Sequence, residues 1–302
     1  VTFSPDEEWL IYATKKMEGI EFATSTNSDL YAFHIMNQTT TNYTTDYKGY
    51  DTHPAFDEKG ERLAWLSMKR DGFESDKNDI IIRDMKTYQD INLTADIDLT
   101  VSHFIWSKDG KKIYFLAVKE ATYQIFEWDF KKSSLTQLTD GIHNYNSIDL
   151  AGKTIIAQRQ SMLVPTDLYQ VELKDGQAKQ ITNVNADILS HLPKPIVEKR
   201  WVTTSDNKKM LTWVIYPPNF RESQKYPALL YCQGGPQSAV SQFFSYRWNF
   251  RLMASQGYVI IAPNRRGLPG FGQEWNDAIS KDWGGQPMKD YIAAVDNVKK
   301  EK

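Results

Sequence analysis

The chain has 302 residues and a mass of 34.9 kDa, long enough for two domains. Its 36 basic and 38 acidic residues leave a net charge of −2, which removes any electrostatic case for nucleic acid or an anionic membrane surface as a partner. The single cysteine, Cys232, excludes an internal disulfide framework, and no apolar run approaches the roughly 18 residues that span a bilayer.

The first two thirds of the chain repeats itself. An apolar or aromatic residue, a tight turn and an apolar strand recur from Phe3 through Ser4-Pro5-Asp6-Glu7, and from Phe56 through Asp57-Glu58-Lys59-Gly60. They recur again from Trp106 through Ser107-Lys108-Asp109-Gly110, and in a degenerate fourth form around Ala151-Gly152-Lys153. A second strand follows each copy, beginning at Asp29, Asp79, Tyr123 and Asp167. The steps from Phe3 to Phe56, from Phe56 to Trp106 and from Gly110 to Gly152 are 53, 50 and 42 residues. Periods near 40–50 with several short strands per unit specify β-propeller blades rather than a generic sandwich, and about four blades fit before Pro193. The fold class expected is therefore an all-β propeller, partial, followed by the N-terminal part of an α/β-hydrolase domain. The first copy opens abruptly on its own turn, so earlier blades are expected to be missing.

Two prolines and the loss of the repeat place the domain boundary within residues 190–200, giving blades over 1–192 and a second domain over 193–302. The second domain starts with a hairpin turning at residues 205–208. Two apolar runs follow, 228–231 and 258–262, which read as buried parallel strands with a helix between them, inside 240–256. A further helix is expected over 288–300. The first run meets Gln233-Gly234-Gly235-Pro236 and the second meets Asn264-Arg265-Arg266-Gly267. This is how an α/β-hydrolase begins, and the glycine turn is where such folds place an oxyanion hole. No Gly-x-Ser-x-Gly occurs in the 302 residues, and the chain ends where the strand carrying a nucleophile is expected to start. Cys232 reads as a buried structural thiol. The five histidines (His34, His53, His103, His143, His191) lie in or beside blades without metal-ligand spacing, so neither a metal nor any other cofactor is expected.

The block Lys225-Tyr226-Pro227, Gln233-Gly234-Gly235-Pro236, Arg266-Gly267 with Gly270-Phe271-Gly272, and Asp282-Trp283-Gly284-Gly285 with Asp290 resembles the prolyl oligopeptidase family of serine peptidases. The nearest branches are the dipeptidyl peptidase V and acylaminoacyl peptidase types, and the likeness covers essentially the whole chain. It implies peptide substrates, blades ahead of the hydrolase domain, and a Ser-Asp-His triad lying beyond Lys302, so that no catalytic residue is expected in this chain. It also implies an oxyanion-hole region at Gln233 and Gly234. Several relatives place a Tyr hydroxyl where this chain has Gln233, so the donor is either the Gln233 amide or local backbone. Arg266 is a candidate for substrate carbonyls, with a structural ion pair as the alternative. Glu18 and Glu21, in an insertion over 15–27, are candidates for a substrate amine, against the ordinary reading of a solvated loop. The Asp-Trp-Gly-Gly stretch is read as packing ahead of the last helix. A homodimer stays open. The competing function class is a non-catalytic binding or scaffold propeller with a degenerate hydrolase extension.

Overall fold

The structure, a computed structural model, describes residues 1–235 and 237–300. Pro236 of the glycine turn lies outside the described residues. Each sequence copy forms one four-stranded antiparallel meander, in which neighbours in sequence are neighbours in the sheet. The first holds β1 (Thr2–Phe3), β2 (Trp9–Thr14), β3 (Asp29–His34) and β4 (Thr39–Asn42), with α1 (Gly19–Thr24) between β2 and β3. The second holds β5 (Asp51–Phe56), β6 (Arg62–Met68), β7 (Asn78–Asp84) and β8 (Asp90–Asn92). The third holds β9 (Val101–Trp106), β10 (Lys112–Lys119), β11 (Thr122–Asp129) and β12 (Ser134–Gln137). The fourth holds β13 (Asn144–Ala151), β14 (Thr154–Ser161), β15 (Val164–Glu172) and β16 (Ala178–Gln180).

The repeated turn is one device used three times. The Ser4, Asp57 and Ser107 amides donate to the carbonyls of Trp9, Arg62 and Lys112 at 2.9 Å, closing the link between first and second strands. The fourth turn position has φ of 61° at Glu7, 71° at Gly60 and 66° at Gly110, a left-handed conformation that explains the glycines. The turn's first side chain also accepts from the strand that follows. Ser107 Oγ takes the Lys112 amide at 2.9 Å, Ser4 Oγ takes the Trp9 amide at 3.0 Å, and Asp57 Oδ1 takes the Arg62 amide at 3.1 Å. Ser and Asp thus alternate at this position because either supplies the acceptor.

Contacts divide the chain into two compact units, residues 1–117 with 125–138 and residues 118–124 with 139–302. In the first unit β6 is buried on both faces, and its period of two sorts the side chains. Leu63 and Trp65 pack with Ile11, Leu30 and Ala32 of the first meander, whereas Ala64 and Leu66 pack with Phe104, Ile113 and Phe115 of the third.

Asp51 is a fully buried carboxyl in this unit. Its Oδ1 accepts from Trp65 Nε1 at 3.0 Å, while Oδ2 has no partner among the described residues. Burial pushes its pKa up to about 7, against the opposing hydrogen bonds of Ser67, Thr44 and Trp65. Because the folded value lies above the unfolded one, this group's stabilisation is complete below about pH 4 and is lost as pH rises towards 7. Asp51→Asn removes that loss, so the melting temperature of the variant minus that of the parent is expected to climb between pH 5 and pH 8. A difference that stays flat across that range overturns the assignment.

In the second unit, α2 (Ala186–His191) precedes a sheet of β17 (Ile196–Thr203), β18 (Lys209–Tyr216), β19 (Ala228–Leu230) and β20 (Val259–Pro263), ordered β17-β18-β20-β19. The β17–β18 hairpin and the parallel pairing of β19 with β20 follow the sequence reading. Burial differs from it. β20 is buried throughout, but β19 is the outermost strand of the described sheet, and its Leu229 and Leu230 are 39% and 37% exposed. For the same reason Cys232, two residues past β19, is exposed rather than a buried structural thiol.

Helices cover both faces of the sheet: α3 (Phe250–Ser255) on one, α5 (Gln286–Lys299) on the other, with α4 (Gln273–Asp277) between them in sequence. Leu211, Trp213 and Ile215 of β18 pack with Phe250 and Ala254 of α3, while Met210 packs on the α5 side with Ile261 and Ala294. Asn249 starts α3 by accepting the Leu252 amide at 2.9 Å. Pro287 sits in the first turn of α5, where its missing N–H costs nothing. Ahead of α5, Trp283 is 61% exposed, so the Asp-Trp-Gly-Gly stretch is not an apolar packing motif. It is a cap: Asp282 Oδ2 accepts the Gln286 amide at 2.9 Å, and only glycine leaves room for that carboxylate over residue 285. Among the described residues no helix is long and apolar enough to cross a membrane.

Candidate active-site loop

After β19 the Tyr231 amide still pairs with the Ile261 carbonyl at 2.8 Å, and the chain then leaves the sheet as the glycine turn. Gly235 has φ of 112°, which requires glycine. Around Gly234 no described atom lies within 4 Å of where a Cβ would stand, so its backbone faces open space. The Gln233 side-chain nitrogen donates to the Gly234 carbonyl at 2.9 Å, while its Oε1 is buried without a partner among the described residues. Gln233 therefore spends one of its two side-chain N–H donors inside the turn and keeps the second for another acceptor. Cys232 has its thiol held above the ordinary range by partial desolvation, which disfavours the thiolate form needed for attack.

The turn is anchored from β20. Arg265, 4% exposed, donates through Nη2 to the Gln233 carbonyl at 3.2 Å, through Nη1 to the Arg266 carbonyl at 2.8 Å, and through Nε to the Tyr291 hydroxyl of α5 at 3.1 Å. Asn264 holds the segment beyond the turn. Its Oδ1 accepts the Val240 amide at 2.9 Å and its Nδ2 donates to the Val240 carbonyl at 3.1 Å, so one side chain imitates a strand partner. Trp213 Nε1 donates to the same carbonyl at 2.8 Å. This is why residues 239–242 are buried loop and α3 begins only at Phe250.

Arg266 turns away from the glycine turn. Its Nε lies 2.8 Å from Asp290 Oδ2, its Nη1 and Nη2 lie 2.9 Å from the two oxygens of Asp206, and its guanidinium sits 5.0 Å from the Trp275 ring. Arg266 holds Asp206 well below the usual carboxylate range. Glu18 and Glu21 belong to the first unit, one capping α1 and one in its first turn, and both are exposed. Of the residues singled out from sequence, Gln233 and Gly234 share the turn. Sequence reasoning passed over the residues that hold it, namely Asn264, Arg265 and Tyr291. The Asn-Arg-Arg-Gly run after a buried strand was the available signal for the first two.

Blade-type meanders followed by a β17-β18-β20-β19 sheet, with helices on both faces and a glycine turn after its parallel edge strand, define the class: a propeller-type chain joined to the opening of an α/β-hydrolase domain. The sequence model of the prolyl oligopeptidase family matches residues 244–302. The chain is 46% identical over 300 residues, 99% of its length, to dipeptidyl-peptidase 5 of Porphyromonas gingivalis, and 48% identical over 301 residues to that of Porphyromonas endodontalis. It superposes on an acylaminoacyl peptidase of Pyrococcus horikoshii with a TM-score of 0.80 at 21% identity, covering 96% of this chain and 44% of that one. The chain is thus similar to the prolyl oligopeptidase family over residues 244–302 and to the two dipeptidyl-peptidases along its full length. It spans 44% of the length of both Porphyromonas relatives.

Proposed function

We propose that the complete protein is a serine exo- or oligopeptidase of the dipeptidyl- or acylaminoacyl-peptidase type, acting on short peptides. The observation that carries this is 46–48% identity to two dipeptidyl-peptidases across 99–100% of the chain. In this reading the division falls at 192/193, and the blades limit which substrates reach the hydrolase domain. A serine supplied by the rest of the protein attacks the scissile carbonyl carbon, and the carbonyl π electrons move onto oxygen. The turn at Gln233 and Gly234 meets that oxyanion, with the Gln233 amide or local backbone N–H as one donor. The intermediate collapses, expels the amine with the proton that the triad histidine took from the attacking serine, and leaves an acyl-serine that water hydrolyses. Arg266 acts by shaping the loop beside the turn, and Glu18 and Glu21 stay candidates for a substrate amine. The 302 residues alone contain no Gly-x-Ser-x-Gly and are expected to be inactive.

Intact mass before and after exposure to a fluorophosphonate tests this. The complete protein is expected to gain one probe per chain, and the 302-residue stretch none. A complete protein that stays unlabelled and cleaves no dipeptidyl amide overturns the peptidase reading in favour of a binding propeller.

A further inference from the structure

We propose that Asn144, the first residue of a blade strand, is a positioning residue for the glycine turn. This rests on the peptidase reading above. Asn144 is 2% exposed and makes three hydrogen bonds to two distant stretches of chain. Its Nδ2 donates to Ser241 Oγ at 2.9 Å, and its Oδ1 accepts the Gln242 amide at 3.3 Å and the Tyr123 amide at 3.1 Å. Two of the three go to the buried segment that follows the turn. A second bond links the same pieces, the Met162 amide donating to Gln242 Oε1 at 3.3 Å.

The turn is thus strung between two fixed points. At one end Arg265 holds the Gln233 carbonyl. At the other, Val240 is held from the hydrolase sheet by Asn264 and Trp213, and Ser241 and Gln242 are held from the fourth meander by Asn144. Between them, Gln237 Nε2 donates to the Asn276 carbonyl at 2.8 Å. Asn144 is itself fixed from behind, since Gln124 Nε2 donates to the His143 carbonyl at 3.1 Å and Gln124 Oε1 accepts from the Thr139 hydroxyl at 2.8 Å. Ser241 and Gln242 are 3% and 1% exposed, so no solvent stands ready to replace a lost partner. Without Asn144, the Gln242 amide must find a new acceptor by moving the backbone seven residues beyond Gly235. Oxyanion donors act only when aimed to a fraction of an ångström, so that movement reaches the transition state more than the bound substrate.

The test uses the complete protein and a chromogenic dipeptidyl anilide, with kcat, KM and melting temperature read for Asn144→Ala, Asn144→Asp and Ser241→Ala. Asn144→Ala is expected to lower kcat about tenfold with KM unchanged, less than the 10²–10³ of a deleted donor. Asn144→Asp keeps acceptors for both amides and takes the Ser241 hydroxyl as donor, so it is expected to recover most of kcat. Should the alanine variant fail to fold, Ser241→Ala decides, with an expected fall in kcat of about threefold at an unchanged melting temperature. A kcat equal to the parent's in the folded alanine variant, or in Ser241→Ala, overturns the proposal, as does a change confined to KM. Inactivity of the parent protein instead sinks the peptidase reading, which the probe labelling detects separately.

Discussion

Replacing Arg266 by alanine is expected to destabilise the second unit by about 3–5 kcal/mol, the cost of leaving one partner of a buried pair uncompensated. Asp290 is fully buried and Arg266 is 6% exposed. Asp290 Oδ2 accepts from the Arg266 side chain at 2.8 Å and from its backbone amide at 3.1 Å, and Gln286 Nε2 reaches Asp290 Oδ1 at 3.2 Å. In the alanine variant the backbone and Gln286 bonds remain, but the only side-chain cation bonded to Asp290 among the described residues is gone. Asp206 suffers less, since its side chain is 38% exposed and water can take over. Arg266→Lys restores charge but not the two-sided fork that grips both carboxylates, so an intermediate loss is expected. Arg266→Met with Asp290→Asn removes both charges and should recover much of the stability.

The same pair fixes how the loss depends on pH. In the parent, the Asp206 carboxyl is held low by its bonds to Arg266 and Thr204. Its contribution is present above the ordinary unfolded carboxylate value and fades as pH falls. In the alanine variant, Asp290 is a buried carboxyl stripped of its cation. There Asp206 too loses the cation that holds it low, so this part of the parent's advantage is absent from the variant. The gap in melting temperature between parent and variant should therefore hold at neutral pH and narrow as pH falls below about 4. A gap that stays constant means that Arg266 contributes packing against Trp275 rather than charge.

The blades were legible because their signals are local. A turn that needs an acceptor at its first position and a left-handed residue at its fourth writes Ser or Asp and then Gly into the sequence at fixed spacing, and each copy became one meander. The parallel pair and the hairpin were legible as apolar runs between turn residues. The helices α1, α2 and α4 were not, being five or six residues long, too short for a helical period to register. Nor could the exposure of Cys232 be read, since an apolar run looks alike at the edge and the centre of a sheet. The partners of the site residues were the least legible. Arg266 meets Asp206 and Asp290, 60 and 24 residues away, and Asn144 meets Ser241 across 97. Nothing in the residue types says which acid faces which base across such gaps. The sequence pointed to the turn; the side chains that aim it become visible only in three dimensions.

Gly267→Ala is the second large effect expected, about 2–4 kcal/mol from two separable causes. Gly267 has φ of 95°, which penalises any Cβ. It also lies beneath α4: its amide donates to the Trp275 carbonyl at 2.7 Å, and a Cβ there would come within 2.6 Å of both Cβ and Cγ2 of Ile279 and 2.7 Å of Arg265 Nη1. Ile279 Cβ is fixed by its own backbone and cannot swing aside. Gly257, after α3, separates the two costs. Its φ is 90°, yet beyond its chain neighbours no atom of the described residues lies within 4 Å of where its Cβ would stand, so Gly257→Ala measures the backbone strain alone, about 1–2 kcal/mol. The excess of Gly267→Ala over Gly257→Ala in urea unfolding then measures crowding, and an excess near zero would mean that the loop yields without strain. Crowding also has a functional consequence. Arg265, pushed by the new methyl, is the residue that holds the Gln233 carbonyl, so Gly267→Ala should lower turnover in the complete protein where Gly257→Ala does not.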